Sequence, residues 1–207
     1  MRDIDELLLS ARGVLVRKDH RAIAAQLDYA IRTGRLTTVL PGIYTAPNPT
    51  WQARIRAADA FRPGGIITGA AAALALWWQD VPISAVTVAV TCRVEPHYAG
   101  FHWERRMLSP DLVTERDGVR FVHPAVSVLD LIPVLGGAAI DEALRRRVVS
   151  LDELWHALRA QPGRPGNLGC ARLLHESRAE PWSPPSARRT CSFVPLASTA
   201  GAPTIAS

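Results

Sequence analysis

The chain has 207 residues, 48% hydrophobic and 21% charged, enough for one large domain or two small ones with a buried core. Its three cysteines, Cys92, Cys170 and Cys191, are far apart and form no CxxC pair, which excludes a disulfide framework and a zinc ribbon and fits reduced thiols in the cytoplasm. The net charge of +5 permits an anionic partner, but 23 of the 24 basic residues are arginine, with Lys18 the one lysine, and no segment is a strongly basic arm.

In chain order, the first element is a short helix over Ile4–Ser10 with Leu7, Leu8 and Leu9 inward. Acids ahead of so short an apolar stretch do not read as a signal peptide. Gly13–His20 gives a turn and a second short element. From Arg21 to Thr33, Ile23, Leu27 and Ile31 fall at i, i+4 and i+8, a helical period that stops at Gly34. Leu36–Leu40 and Ile43–Thr45 then alternate across a Pro41-Gly42 turn. Pro47, Asn48 and Pro49 read as a linker.

Beyond it the pattern predicts a helix over Trp51–Phe61, a strand over Gly65–Thr68 and an alanine-rich buried helix over Gly69–Trp78. The uncharged run Pro63–Gln79 is too short and too rich in Gly and Ala to cross a bilayer, so no membrane association is expected. Strands follow over Val86–Thr91, Gly100–Met107 and Val119–Val122, the last after an Asp117-Gly118 turn. Helices are expected over Pro124–Leu135, Ala138–Val148, Leu151–Leu158 (opened by the capping box Ser150-x-x-Glu153) and Leu168–Arg178. From Pro181 on the text has five prolines, no acid and no period, and is read as disordered. The expected fold class is α/β (α+β): a winged helix-turn-helix over residues 1–47, a small mixed α/β domain over 51–160, a loop and helix over 161–180, and a tail over 181–207.

Three helices and a two-stranded ribbon suit DNA, with one helix in the major groove and the ribbon beside the backbone. Arg21, Tyr29 and Arg32 fall on the outer face of the third helix, Arg17, Lys18 and His20 precede it, and Arg35 begins the ribbon. Arg17, Lys18, Arg21, Tyr29, Arg32 and Arg35 are the candidate DNA contacts. Against this, Asp28 repels phosphate and the ribbon tip VLPG carries no cation. Modules of this shape also bind proteins, so on residues alone DNA contact ranks just ahead of an interaction role.

No catalytic residue is assigned. A P-loop needs a lysine after its second glycine, and GGIITGA has none. A nuclease of the D…ExK type needs a lysine that residues 51–207 do not contain. Cys92, His97 and His102 have possible ligand chemistry but no standard zinc spacing, so no metal site is expected. His123, Ser127 and Asp130 lie near one another in sequence, which does not make a triad. Arg105 and Arg106 point to opposite faces of a strand, and Arg145, Arg146 and Arg147 end a helix where cations complement the carbonyl dipole. The five central tryptophans read as core or interface anchors. The chain is expected to be no enzyme and to need no cofactor.

The text GVLVRKDH…LDYAIRTGRLTTVLPGIYTA resembles the N-terminal domain of the AbiEi family, the antitoxins of type IV toxin–antitoxin systems. Gly13, Val14, Gly34, Leu36, Gly42, Ile43 and Tyr44 sit on its pattern. GGIITGAAAALALW, VTVAV, FHWERRMLSPDLV and DGVRFVHPAVSVLDL extend the resemblance over about residues 4–180, with Thr68 and Gly69 standing where Ser or His is often seen. The resemblance implies an actinobacterial-type DNA-binding repressor that acts on double-stranded DNA at its own promoter, with a nucleotidyltransferase-like toxin as partner. Longer relatives continue from EPWS into a Vsr-like, restriction-endonuclease-type domain. Here Glu180, Pro181, Trp182 and Ser183 resemble its opening and the text beyond does not, which reads as a truncation in a shifted frame. A non-catalytic remnant of such a nuclease-associated protein, or an interaction module without DNA binding, is the alternative.

Overall fold

The computed structural model describes residues 4–91 and 96–179. The expected tail over 181–207 lies outside them. The chain is α/β: a small head built on a three-stranded sheet leads into a five-stranded mixed sheet with helices packed on it.

The head opens with α1 (Ile4–Ser10), which buries Ile4, Leu7 and Leu8. Leu9 is exposed, not inward. Three consecutive helical residues fan over about 200°, so one apolar stripe cannot take all three. The strand β1 (Leu15–Val16) pairs antiparallel with β3 (Ile43–Thr45), which pairs with β2 (Thr37–Leu40). The expected helix over 21–33 begins only at Ala24. Arg17–Ile23 is a 3-10 segment, and α2 spans Ala24–Arg32. Pairing to β3 continues through the Arg17 N–H on Gly42 O (2.8 Å), so the chain must still turn away from the sheet where the helix was expected. His20, at φ −120° and ψ 35°, makes the break. Leu27 and Ala30 of α2 close a head core with Leu15, Leu36 and Tyr44.

The expected linker is a tight reversal. Asn48 takes φ +53°, Thr50 caps α3 (Trp51–Phe61) by accepting from the Ala53 N–H at 3.2 Å, and α3 returns against β2 and β3. Leu40 and Ile43, which flank the ribbon tip, are thereby buried in the central core beside Ile55. The head is therefore fused to the middle, and its ribbon tip faces α3.

The larger sheet has the order β6-β5-β4-β8-β7. It comprises β4 (Ile66–Thr68), β5 (Val86–Val90), β6 (Phe101–Arg105), β7 (Val113–Arg116) and β8 (Val119–Val122). β4 runs parallel to β8 and antiparallel to β5, while β5 and β6 are parallel. The sequence pattern missed β7. Its VTER text is half charged, but Asp117 and Gly118 at φ +54° and +81° make the two-residue hairpin turn that pairs it with β8. Helix α4 (Gly69–Leu76) is apolar all round and packs on α5 (Pro124–Leu135), which carries α6 (Ala138–Arg145) and α7 (Leu151–Arg159). Ser150 and Glu153 form the expected capping box, and α8 (Asn167–Ala179) packs on α7.

Burial on α3 pushes the Asp59 carboxyl above its ordinary range, with Arg120 opposing and Glu115 adding to the shift. Its folded pKa then exceeds its unfolded one, so stability falls as pH rises through the window between them. Asp59→Asn is expected to raise the thermal midpoint at neutral pH. The gain should shrink in acid, where Asp59 itself becomes protonated; melts across that range check it.

Candidate nucleic-acid interface

The face of the head is set by which residues α2 must bury. Leu27 and Ala30 point into the head core, with Ile23 and Ile31 partly covered beside them. The remaining face turns Ala25, Tyr29 and Arg32 to solvent, and Tyr29 is 60% exposed. Lys18 and Arg21 are also exposed, but on the 3-10 segment ahead of α2.

The six candidate contacts divide by what holds them. Arg17 is committed to the fold: its guanidinium donates to both Asp28 oxygens (2.6 and 3.1 Å) and to the Tyr44 hydroxyl (3.1 Å). These bonds raise the Arg17 pKa and lower that of Asp28, chiefly through the hydrogen bond the pair shares. Arg17 thus cancels the acid that would repel phosphate, and is spent in doing so. Arg35 reaches back to Asp5 of α1 at 2.8 Å, an exposed pair that fixes the start of the ribbon. Lys18, Arg21 and Arg32 are hydrogen-bonded to no carboxylate among the described residues. Tyr29 offers an aromatic edge and a hydroxyl beside Arg32. The four accessible groups can supply phosphate neutralisation and one amphipathic contact to sugar or base.

The ribbon contributes little of its own to that face. Pro41 is exposed, but its neighbours Leu40 and Ile43 are buried against α3. A groove of about 450 Å³ separates the 3-10 segment from the end of α3, walled by Lys18 and Arg21 and floored by Ile43, Ala60 and Phe61. No carboxylate lines it.

The other candidate chemistries do not assemble. Cys92 lies outside the described residues, and among those described no group of three His, Cys, Asp or Glu side chains could hold a metal ion. His123 Nδ1 accepts from the Ala125 N–H at 3.3 Å as the cap of α5. Ser127 Oγ donates to Pro124 O (2.8 Å) and accepts from Trp77 Nε1 (2.9 Å). Asp130 is held by two arginines. Arg145 and Arg146 both pair with Glu142 at 2.6 Å, as i, i+3 and i, i+4 spacing predicts.

One cluster was not read from sequence. Arg106 turns inward from the end of β6 and donates to both Asp130 oxygens at 3.0 Å, to Glu104 at 3.4 Å and to Gln161 Oε1. Arg164 adds a bond to Asp130 at 3.2 Å and donates to Leu129 O. The strict face alternation of Arg105 and Arg106 was the available signal: one is exposed and the other enters this network. The acid and loop arginine it meets are far away in sequence, and nothing local announces them.

No family model matches the chain, and no curated protein matches it significantly. No described helix is long and apolar enough to cross a membrane.

Proposed function

We propose that the chain is a DNA-binding transcriptional repressor of the AbiEi antitoxin type, gripping the duplex at its own promoter with the head. The observation that carries this reading is the accessible set Lys18, Arg21 and Arg32 around α2, none of them hydrogen-bonded to a carboxylate among the described residues, while Arg17 takes up most of the charge of Asp28, which Arg32 also faces. The order helix, strand, 3-10 segment, helix and ribbon supports the same reading. The ribbon serves mainly as a brace between head and middle, so the helix and the 3-10 segment carry the contact.

A gel shift with the duplex upstream of the gene tests it. Three neutralised phosphates give a slope of about −2.7 in log K against log salt, so affinity should fall about 40-fold between 50 and 200 mM salt. Absence of any shift at the lower salt would return the head to a protein-interaction role. The toxin partnership rests on the family resemblance, and a nucleotidyltransferase-like reading frame beside the gene is its test. The alternative of a nuclease-associated remnant predicts a solitary gene with the missing domain out of frame.

A further inference from the structure

A second cleft, of about 780 Å³, lies away from the groove beside Lys18 and Arg21, between the start of α3, the end of α4 and the β7–β8 hairpin. Its floor is apolar: Ile55, Leu74, Val119 and Phe121 are all buried. Its walls carry Arg56, Arg116 and Arg146. Each arginine is fixed by a main-chain carbonyl: Arg56 by Arg12 O (3.0 Å), Arg116 by Ala75 O (2.7 Å) and Arg146 by Trp77 O (3.2 Å).

A carbonyl anchor orients a guanidinium without cancelling its charge. Ala75 and Trp77 sit at the end of α4, so a plain reading makes Arg116 and Arg146 caps for that helix end. The magnitudes leave charge over. A helix terminus supplies about half a negative charge. Glu142 is shared between Arg146 and Arg145, and the other acid of the cleft is Asp117 at the hairpin tip. Arg56 lies on α3, and its partner Arg12 O belongs to the turn just past the end of α1. The site keeps a net positive charge of about one unit, and each guanidinium has spare donors beyond those used. Low-dielectric walls focus that field into the cleft.

We infer that this cleft binds a nucleotide-type organic phosphate, with the phosphate on the Arg56, Arg116 and Arg146 guanidiniums and the planar base against the Ile55–Phe121 floor. The volume falls within the range of small-ligand sites, about 300–1,000 Å³. Guanidinium forks match phosphate oxygens, and the apolar floor distinguishes an organic phosphate from a bare ion. The site is independent of the head and does not rest on its reading.

The test is titration of the full chain with ribose-labelled fluorescent ADP, and separately with a DNA duplex. Arg116→Ala and Arg56→Ala are each expected to weaken binding about tenfold or more, the loss of one charge-assisted hydrogen bond. Arg116→Lys, which keeps the charge but not the fork, should fall between. Loss confined to labelled ADP identifies a free nucleotide as the ligand, and loss confined to the duplex overturns the proposal, because paired and stacked bases cannot lie on the floor. Arg21→Glu should leave labelled-ADP binding unchanged. Failure of the unsubstituted protein to bind either probe, or binding indifferent to Arg56 and Arg116, overturns the proposal. An unchanged thermal midpoint in Arg116→Lys separates ligand loss from misfolding.

Discussion

Reversing Arg21 and Arg32 together is expected to abolish the gel shift of the upstream duplex at any salt where the unsubstituted protein binds. Both side chains are exposed, and neither is hydrogen-bonded to a carboxylate among the described residues. Arg21→Glu and Arg32→Glu therefore remove two of the three proposed phosphate contacts and add two repulsions. Each lost contact lowers the salt slope by about one. The slope makes the result diagnostic: a double variant that still binds, with the same salt dependence, would place the duplex elsewhere and sink the reading of the head. Stability is a clean control, since exposed substitutions away from special features usually stay within about 0.5 kcal/mol. Arg32→Glu puts a second acid one turn from Asp28, but Asp28 is already clamped by Arg17. Arg17→Glu is the wrong experiment for the same purpose. It would break the Asp28 and Tyr44 contacts and disturb the head itself, so lost binding there would say nothing about phosphate.

That distinction between Arg17 and Arg21 marks what could be read from the text alone. Periodicity at Ile23, Leu27 and Ile31 identified the buried stripe of α2, and with it the outward face of Tyr29 and Arg32. It did not reveal where the helix begins, because a 3-10 turn entering an α-helix keeps apolar residues near the same spacing. Nor could it show that Arg17 is consumed by Asp28, eleven positions away, since that contact depends on how β1 and α2 pack. Elements bounded by strong local chemistry were legible to the residue: α3 behind Thr50, and α5 from Pro124 to Leu135. β7 was not, although its turn was seen, because a four-residue strand with two charged residues lacks the apolar alternation that betrays its partner. The fusion of head and middle was hidden for a different reason. Pro47, Asn48 and Pro49 look like a spacer, yet proline and a left-handed Asn48 build a reversal as readily as a tether. The arginine-walled cleft shares this opacity: Arg56, Arg116 and Arg146 come from three separate elements, and only the fold brings them to one rim.

The second large effect is expected from Asp130, where charge is buried. Its side chain is 11% exposed, and those of its partners Arg106 and Arg164 are 15% and 10% exposed. Removing one member of such a group leaves the others as uncompensated charges in a poorly solvated site, typically at a cost of about 3–5 kcal/mol. Asp130→Ala strands two guanidiniums at once. For a chain of this size each kcal/mol moves the thermal midpoint by about 2–4 °C, so a drop on the order of 10 °C is expected. Glu104, at 3.4 Å from Arg106, is more exposed and is paired with that arginine rather than with Arg164, so it offsets the loss in part only. The damage should be local in its first step. Arg164 ties the 161–167 loop to Leu129 and Asn167, while Arg106 ties Gln161, whose own amide donates to Ala157 O. Hydrogen exchange should therefore rise first at the end of α7, through the loop and at the start of α8. Asp130→Asn keeps an acceptor but not the charge, and should fall between the two proteins. A substitution of like chemistry on the surface gives the contrast. Arg172 and Glu176 are paired at 2.9 Å on α8 but stand 82% and 56% exposed, so Glu176→Gln should cost no more than about 0.5 kcal/mol. If Asp130→Ala melts no lower than Glu176→Gln, the network is solvated and its burial is not what fixes the loop against the sheet.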